Sequence, residues 1–203
     1  MSDLIRKYQD LFPEAGCDEA GRGCLAGPVV AAAVILDPAN PIAALNDSKQ
    51  LSAKKRLALR EEIIQKALAY AIGIVDHHEI DQINILNASI LAMHKALDQL
   101  ALKPAFILVD GNRFKPYQEV PYACMVKGDA RFAAIAAASI LAKTERDHIM
   151  SKLHEAFPVY DWEKNQGYPT LAHRKAIAQY GVSPFHRLTF QLLAPNQQLD
   201  LFE

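Results

Sequence analysis

The sequence predicts an α/β protein, a mixed sheet covered by helices, and three observations carry that expectation. The first is a near-continuous apolar run, Pro28 to Leu36, closed by Asp37-Pro38; it suits a strand buried on both faces. The second is a strong apolar strand, Ala105 to Val109, that stops at Asp110-Gly111-Asn112. The third is order along the chain: two or three strands come first, then helices alternate with strands, the pattern of a layered α/β sheet.

Ala15-Gly16-Cys17-Asp18 reads as a short strand that pairs with the apolar run, with Gly21 to Gly27 turning the chain between them. Ser52 is placed to cap a helix through Leu57, Ile63, Ile64 and Leu68 with its charges outward. Tyr70 to Val75 follows as a strand. A second helix spans Ile85 to Leu100, with Leu86, Ile90, Met93 and Leu97 on one face, and Lys103-Pro104 ends it. Tyr122 to Val126 makes another strand, an alanine-rich helix begins near Ala130, and shorter helices start near Thr170 and after Ser183-Pro184.

Composition narrows the class without naming it. At 203 residues, 51% hydrophobic and 22% charged, the chain has the make-up of a globular domain with a sizeable core. The N-terminus is charged from its third residue and lacks an apolar h-region, and no apolar run is long enough to cross a bilayer. The three cysteines, Cys17, Cys24 and Cys124, cannot all pair and have no metal-finger spacing. A monomeric, cytoplasmic protein with reduced thiols and no membrane attachment is expected. The net charge of −1 does not advertise a nucleic-acid binder, since proteins that grip phosphates broadly are usually basic. If it acts on nucleic acid, its positive charge must be concentrated locally and its acids neutralised by metal.

The acids invite that reading. A phosphodiester clamp needs two hard cations about 3.5–4 Å apart, and hence several carboxylates converging from separate elements. Asp18 and Glu19 are adjacent, so in a regular strand they point to opposite faces; both reach one site if the strand bends, which Gly21 would permit. Asp110 ends an apolar strand, where ligands of open α/β sheets bind, although Asp-Gly is equally a turn pair. Asp129 and Asp147 lie about five helical turns apart, roughly 27 Å, so only one can serve. Asp129 follows Lys127-Gly128 at the helix start, where phosphates also gather, and is preferred; its plainer role is an N-cap. Asp147, near Lys143 and Arg146, fits an ion pair on the helix.

Eight segments in order then resemble the signature of one family: Asp18-Glu19-Ala20-Gly21-Arg22-Gly23, Asp47-Ser48-Lys49, Val109-Asp110-Gly111, Lys127-Gly128-Asp129, Ile135 to Lys143, Arg146-Asp147, Gly167-Tyr168-Pro169-Thr170 and His186-Arg187. From about Ala15 to Phe190 the chain resembles bacterial ribonuclease HII. The resemblance implies a ribonuclease H-like fold, a mixed five-stranded sheet flanked by helices with a C-terminal helical extension. The expected division is a catalytic domain over 1–150, the extension over 151–195 and a tail over 196–203. It implies hydrolysis of the phosphodiester 5′ to a ribonucleotide in RNA–DNA hybrids, at RNA–DNA junctions or at single ribonucleotides in duplex DNA. It implies that Asp18, Glu19, Asp110 and Asp129 hold two Mg²⁺ or Mn²⁺ ions, and that the backbone of Gly21, Arg22 and Gly23 senses the 2′-hydroxyl. By the same resemblance Tyr168 stacks on the sugar that follows, although a lone tyrosine is by default a core residue.

Lys49 fits a phosphate contact near the scissile bond as well as it fits a solvated lysine before the Ser52 cap. Asn46, Arg113, Arg146 and Arg187 are further candidates for backbone contacts, while His173 and His186 are read as structural. The C-terminal Gln198-Leu199-Asp200-Leu201-Phe202 resembles the short motif that docks repair proteins on the DNA sliding clamp. Its apolar anchors Leu199, Leu201 and Phe202 and the orienting Gln198 suit a surface pocket; packing on its own domain is the alternative. Rivals for the whole are a resolvase- or transposase-like nuclease, which needs no 2′-hydroxyl sensor, a non-catalytic nucleic-acid-binding module, and ribonuclease HIII, disfavoured by the short stretch before Asp18.

Overall fold

In the computed structural model, which describes residues 4–45 and 51–193, the sheet grows outward from β1, Glu14–Ala20. On one side β1 pairs antiparallel with β2, Val29–Ile35, and β2 pairs antiparallel with β3, Ala69–Val75. On the other, β1 pairs parallel with β4, Phe106–Asp110, and β4 with β5, Tyr122–Met125. The five-stranded order is β3-β2-β1-β4-β5.

Every residue of β2 is buried, and the covers on its two faces explain the unbroken apolar run. Ala31, Ala33 and Ile35 pack with Ala88, Ala92 and Leu97 of α2, His77–Asp98. Ala32 and Val34 face Leu59 and Ile63 of α1, Ala53–Lys66, and Ala137 and Leu141 of α3, Ala133–Ala156. Glycine sets how closely these layers meet. A Cβ on Gly16 would stand 2.2 Å from the Ala134 carbonyl carbon, so β1 and α3 are in backbone contact there.

Several boundaries differ from expectation. Ser52 caps α1 by accepting from the Lys55 N–H at 3.3 Å, but Leu57 and Leu68 are exposed and the buried positions are Leu59 and Ile63. Two residues along a helix is roughly 200°, so Leu57 and Leu59 cannot share a face. The second helix starts at His77, not Ile85, with Asp76 as its cap. It breaks at Asn84 (φ 64, ψ 163), whose Oδ1 accepts from the N–H groups of Leu86 and Asn87 at 3.0 and 3.1 Å; the expected start is that internal cap. Among the described residues no helix follows Ser183-Pro184. Its backbone is claimed elsewhere: Gly27 N–H donates to the Phe185 carbonyl at 2.9 Å and Arg187 N–H to the Leu25 carbonyl at 2.8 Å.

Beyond α3 a separate apolar cluster joins Leu25 and Met150 to Trp162 of α4, Trp162–Asn165, to Ile177 of α5, Leu171–Tyr180, and to Leu192. Position 150 falls inside α3, which runs unbroken from the sheet into this cluster. No helix among the described residues is long and apolar enough to cross a membrane.

Candidate active site

The parallel register of β1 and β4 aligns Cys17 with Val109, so Asp18 and Asp110 occupy the next positions on adjacent strands. Cys17 and Val109 face α2; strand alternation turns Asp18 and Asp110 toward α3, where the Ser139 hydroxyl hydrogen-bonds Asp18. The bend expected between Asp18 and Glu19 is absent, because β1 stays in register with β2 through Ala20. The turn comes at Gly21, with φ +96. Glu19 reaches the same space from the strand end.

A cavity of about 280 Å³ collects Asp18, Glu19, Asp110, Gly21, Arg22, Gly23 and Tyr168. Three residues to which sequence assigned no role there, Arg56, Ser139 and Lys143, line it too. The local positive charge demanded by the near-neutral chain is thus present as Arg22, Arg56 and Lys143. Lys143 is held by Asp147, its partner one turn along α3, the helix ion pair anticipated for that acid.

The acids crowd one another. Burial, then the neighbouring Glu19 and Asp110, push the Asp18 carboxyl well above its ordinary value. Burial also raises Glu19, against the pull of Arg22, whose Nη1 donates to Oε1 at 3.0 Å. Glu19 Oε2 is buried with no hydrogen-bond partner. Hard oxygens, mutual repulsion and an orphaned buried oxygen are what a divalent oxygen-seeking cation would relieve. Among the described residues no three such donors already form a group able to hold an ion.

Asp129 is placed beside this cavity rather than on its wall. It sits in a 3₁₀ turn, Gly128–Ala130, before α3 and is 3% exposed. The preceding Gly128 N–H donates to Asp110 Oδ1 at 2.7 Å. The N-cap alternative is not taken, since Phe132 occupies that position without a side-chain cap.

The two outer glycines of Gly21-Arg22-Gly23 differ. A Cβ on Gly21 would stand 2.1 Å from Arg146 Nε, whereas one on Gly23 would meet nothing within 4 Å. Gly23 therefore borders open space. Tyr168 is not a core residue: it is 42% exposed, and its hydroxyl hydrogen-bonds the buried Cys24 thiol. That contact gives Cys24, unassigned from sequence, a place against the site.

Arg146 and Arg187 correct the expectation of phosphate contacts. They are 1% and 0% exposed and are engaged by backbone carbonyls, whereas Arg113 is exposed. His173 and His186 are buried in a polar chain. Trp162 Nε1 donates to His173 Nε2 at 3.0 Å, and the Ser183 N–H to His186 Nδ1 at 2.9 Å. Those donors leave protons on His173 Nδ1, toward the Tyr168 carbonyl, and on His186 Nε2, toward His173. Burial depresses both, His186 to about 3. Asn46, Lys49, Gln198, Leu199, Leu201 and Phe202 lie outside the described residues.

Comparison with known proteins fits this geometry. The family model described as Ribonuclease HII matches residues 15–193. A Ribonuclease HII of Bacteroides fragilis is 61% identical over 93% of this chain and 94% of its own. Among solved structures, ribonuclease H2 of Pyrococcus horikoshii is 28% identical with TM-score 0.75, covering 94% of this chain and 99% of that one. The RNase HII of Archaeoglobus fulgidus, solved in complex with PCNA, is 27% identical with TM-score 0.76, covering 90% of this chain and 97% of that one. The fold is ribonuclease H-like, and the chain belongs to the ribonuclease HII family of hydrolytic nucleases.

Proposed function

We propose that the cavity hydrolyses the phosphodiester on the 5′ side of a ribonucleotide, leaving 3′-hydroxyl and 5′-phosphate ends. The substrates are RNA–DNA hybrids, RNA–DNA junctions and single ribonucleotides in duplex DNA. One observation carries this reading: acids at the ends of two adjacent strands, Asp18 buried and Glu19 and Asp110 partly so, share a cavity with a glycine turn and an exposed tyrosine. Asp18, Glu19, Asp110 and Asp129 are the residues that would hold Mg²⁺ or Mn²⁺. Two bound ions would supply an ionised water and neutralise charge on the phosphoryl group.

The chain's own residues bind and orient. Arg22, Arg56 and Lys143 carry the charge that attracts the phosphodiester backbone, and Lys49 adds a phosphate contact near the scissile bond. The backbone of Gly21 to Gly23 senses the 2′-hydroxyl, the sugar's only mark of RNA, and the open space at Gly23 supports a close sugar. Tyr168 offers its ring to the following sugar. Because Tyr168 comes from the 151–195 segment, we assign that segment to substrate binding and 1–150 to catalysis.

We also propose that Gln198, Leu199, Leu201 and Phe202 dock on a DNA sliding clamp, a reading supported by the PCNA complex of the Archaeoglobus relative. Removal of residues 198–203 should abolish recovery of the clamp in a pull-down; undiminished recovery would sink the idea. The protein is assigned to the cytoplasm, where such a clamp and its DNA reside. The function itself is tested with end-labelled duplexes containing one ribonucleotide. Cleavage should require Mg²⁺ or Mn²⁺ and stop with chelator. A 2′,3′-cyclic phosphate product would contradict it, since that end arises by attack of the 2′-oxygen rather than water.

A further inference from the structure

Two buried guanidinium groups spend all their named hydrogen bonds on the backbone around the site. Arg146, on α3, donates to the carbonyls of Pro28 at 3.0 Å, Ala26 at 3.1 Å and Gln166 at 2.8 Å. Arg187 donates to Gly27 at 3.0 Å, Arg22 at 3.0 Å and Pro28 at 3.1 Å. The two therefore bind both ends of the turn that follows β1, and Arg146 also binds the segment leading into Tyr168. The two segments touch directly as well. Leu25 N–H donates to the Gly167 carbonyl at 2.7 Å, and a Cβ on Gly167 would stand 2.8 Å from the Ala26 oxygen.

Burying two like charges is an expensive way to secure a loop, since apolar packing would hold it at less cost. What the guanidinium offers is direction: a planar fork fixes several acceptors at once, which an ammonium point charge does not. One of those acceptors matters for recognition. The Arg22 carbonyl belongs to the same peptide unit as the Gly23 N–H, so the bond from Arg187 fixes the direction of that N–H and polarises it. Gly21 lies flat against the Arg146 guanidinium, with no room for a side chain.

We propose that Arg146 and Arg187 are positioning residues for ribonucleotide recognition. Together they hold the Gly21 to Gly23 backbone and Tyr168 in one fixed relation, so that both address the same nucleotide step. The inference rests on the function proposed above, with the glycine turn as ribose sensor.

Arg187→Lys and Arg146→Lys test it on two duplexes, one with a single embedded ribonucleotide and one a long RNA–DNA hybrid. A single ribonucleotide offers one productive register, whereas a long hybrid offers many, so a displaced sensor is penalised chiefly on the first. For folded variants, kcat on the single-ribonucleotide duplex should fall about 30-fold, within the range that a misplacement near 1 Å produces. KM should hold within about threefold, and the hybrid should lose far less. Equal loss on both substrates, or no loss, would overturn the proposal. Hydrogen exchange of the wild-type protein provides a measurement independent of the variants. The Leu25 and Gly27 amides should be protected as strongly as those of α3, and exchange at loop rates would overturn the proposal as well. An inert wild type would bring down the proposed function and this inference with it; an active wild type with unselective loss in the variants brings down the inference alone.

Discussion

Asp18→Asn is expected to cut turnover on a single-ribonucleotide duplex by about 10³-fold while making the metal-free protein more stable. The loss of activity follows from removing one of the charges that hold the ions, comparable in effect to deleting a key electrostatic group of an active site. The gain in stability follows from the crowding. Burial first, then Glu19 and Asp110, raise the Asp18 carboxyl well above 3.8. A group raised in the folded state contributes stability below its unfolded value and loses it as pH rises through the folded one, so at neutral pH without metal its charge is a burden. Asparagine removes the charge and keeps an oxygen for the Glu19 N–H, which Asp18 Oδ1 accepts at 2.7 Å. The gain should be about 1 kcal/mol, as for other relieved active-site strains. Urea unfolding in chelator, beside initial rates in Mg²⁺, checks both halves. A variant less stable than wild type in chelator would contradict the crowding argument.

Gly16→Ala is expected to destabilise the protein by about 3 kcal/mol, at the upper end for overpacking. The new methyl would stand 2.2 Å from the Ala134 carbonyl carbon and 2.4 Å from the Ile135 nitrogen. Both are backbone atoms of a buried helix and cannot swing aside as a side chain could. Because β1 carries Asp18 and α3 carries Ser139 and Lys143, relief of the clash by moving the layers apart also opens the cavity. Activity should therefore fall more than the folded fraction does. A variant with wild-type unfolding midpoint would show that β1 and α3 are not in backbone contact.

Much of this was legible in sequence because single elements dictated it. The β2 run is apolar at every position, so burial between two layers followed from composition alone, and Asp110 was marked by its place at a strand end. What failed depended on partners distant in the chain. Arg146 and Arg187 read as candidates for backbone contacts to nucleic acid because arginine is seldom fully buried; only the carbonyls of the Arg22 to Pro28 stretch, brought over by the fold, show where their hydrogen bonds go. Ser183-Pro184 has the form of a helix start, yet the glycine turn claims the backbone hydrogen bonds of Phe185 and Arg187. The first half of α2 lacks an apolar period, His77-His78-Glu79 being polar, and is held by the Asp76 cap and burial of Ile80. Arg56, Ser139 and Lys143 needed the packing of α1 and α3 around β1 before their common cavity could be seen.

If one cavity both cuts the phosphodiester and reads the 2′-hydroxyl, a difference of one oxygen atom decides whether a duplex is cut. Two end-labelled duplexes of identical sequence, one all-DNA and one carrying a single ribonucleotide, should be incubated with the protein in Mg²⁺ or Mn²⁺. One cut is expected, immediately 5′ to the ribonucleotide, with a 3′-hydroxyl and a 5′-phosphate, and no cut in the all-DNA duplex. Cleavage of both duplexes, or a cut on the 3′ side of the ribonucleotide, would contradict this reading.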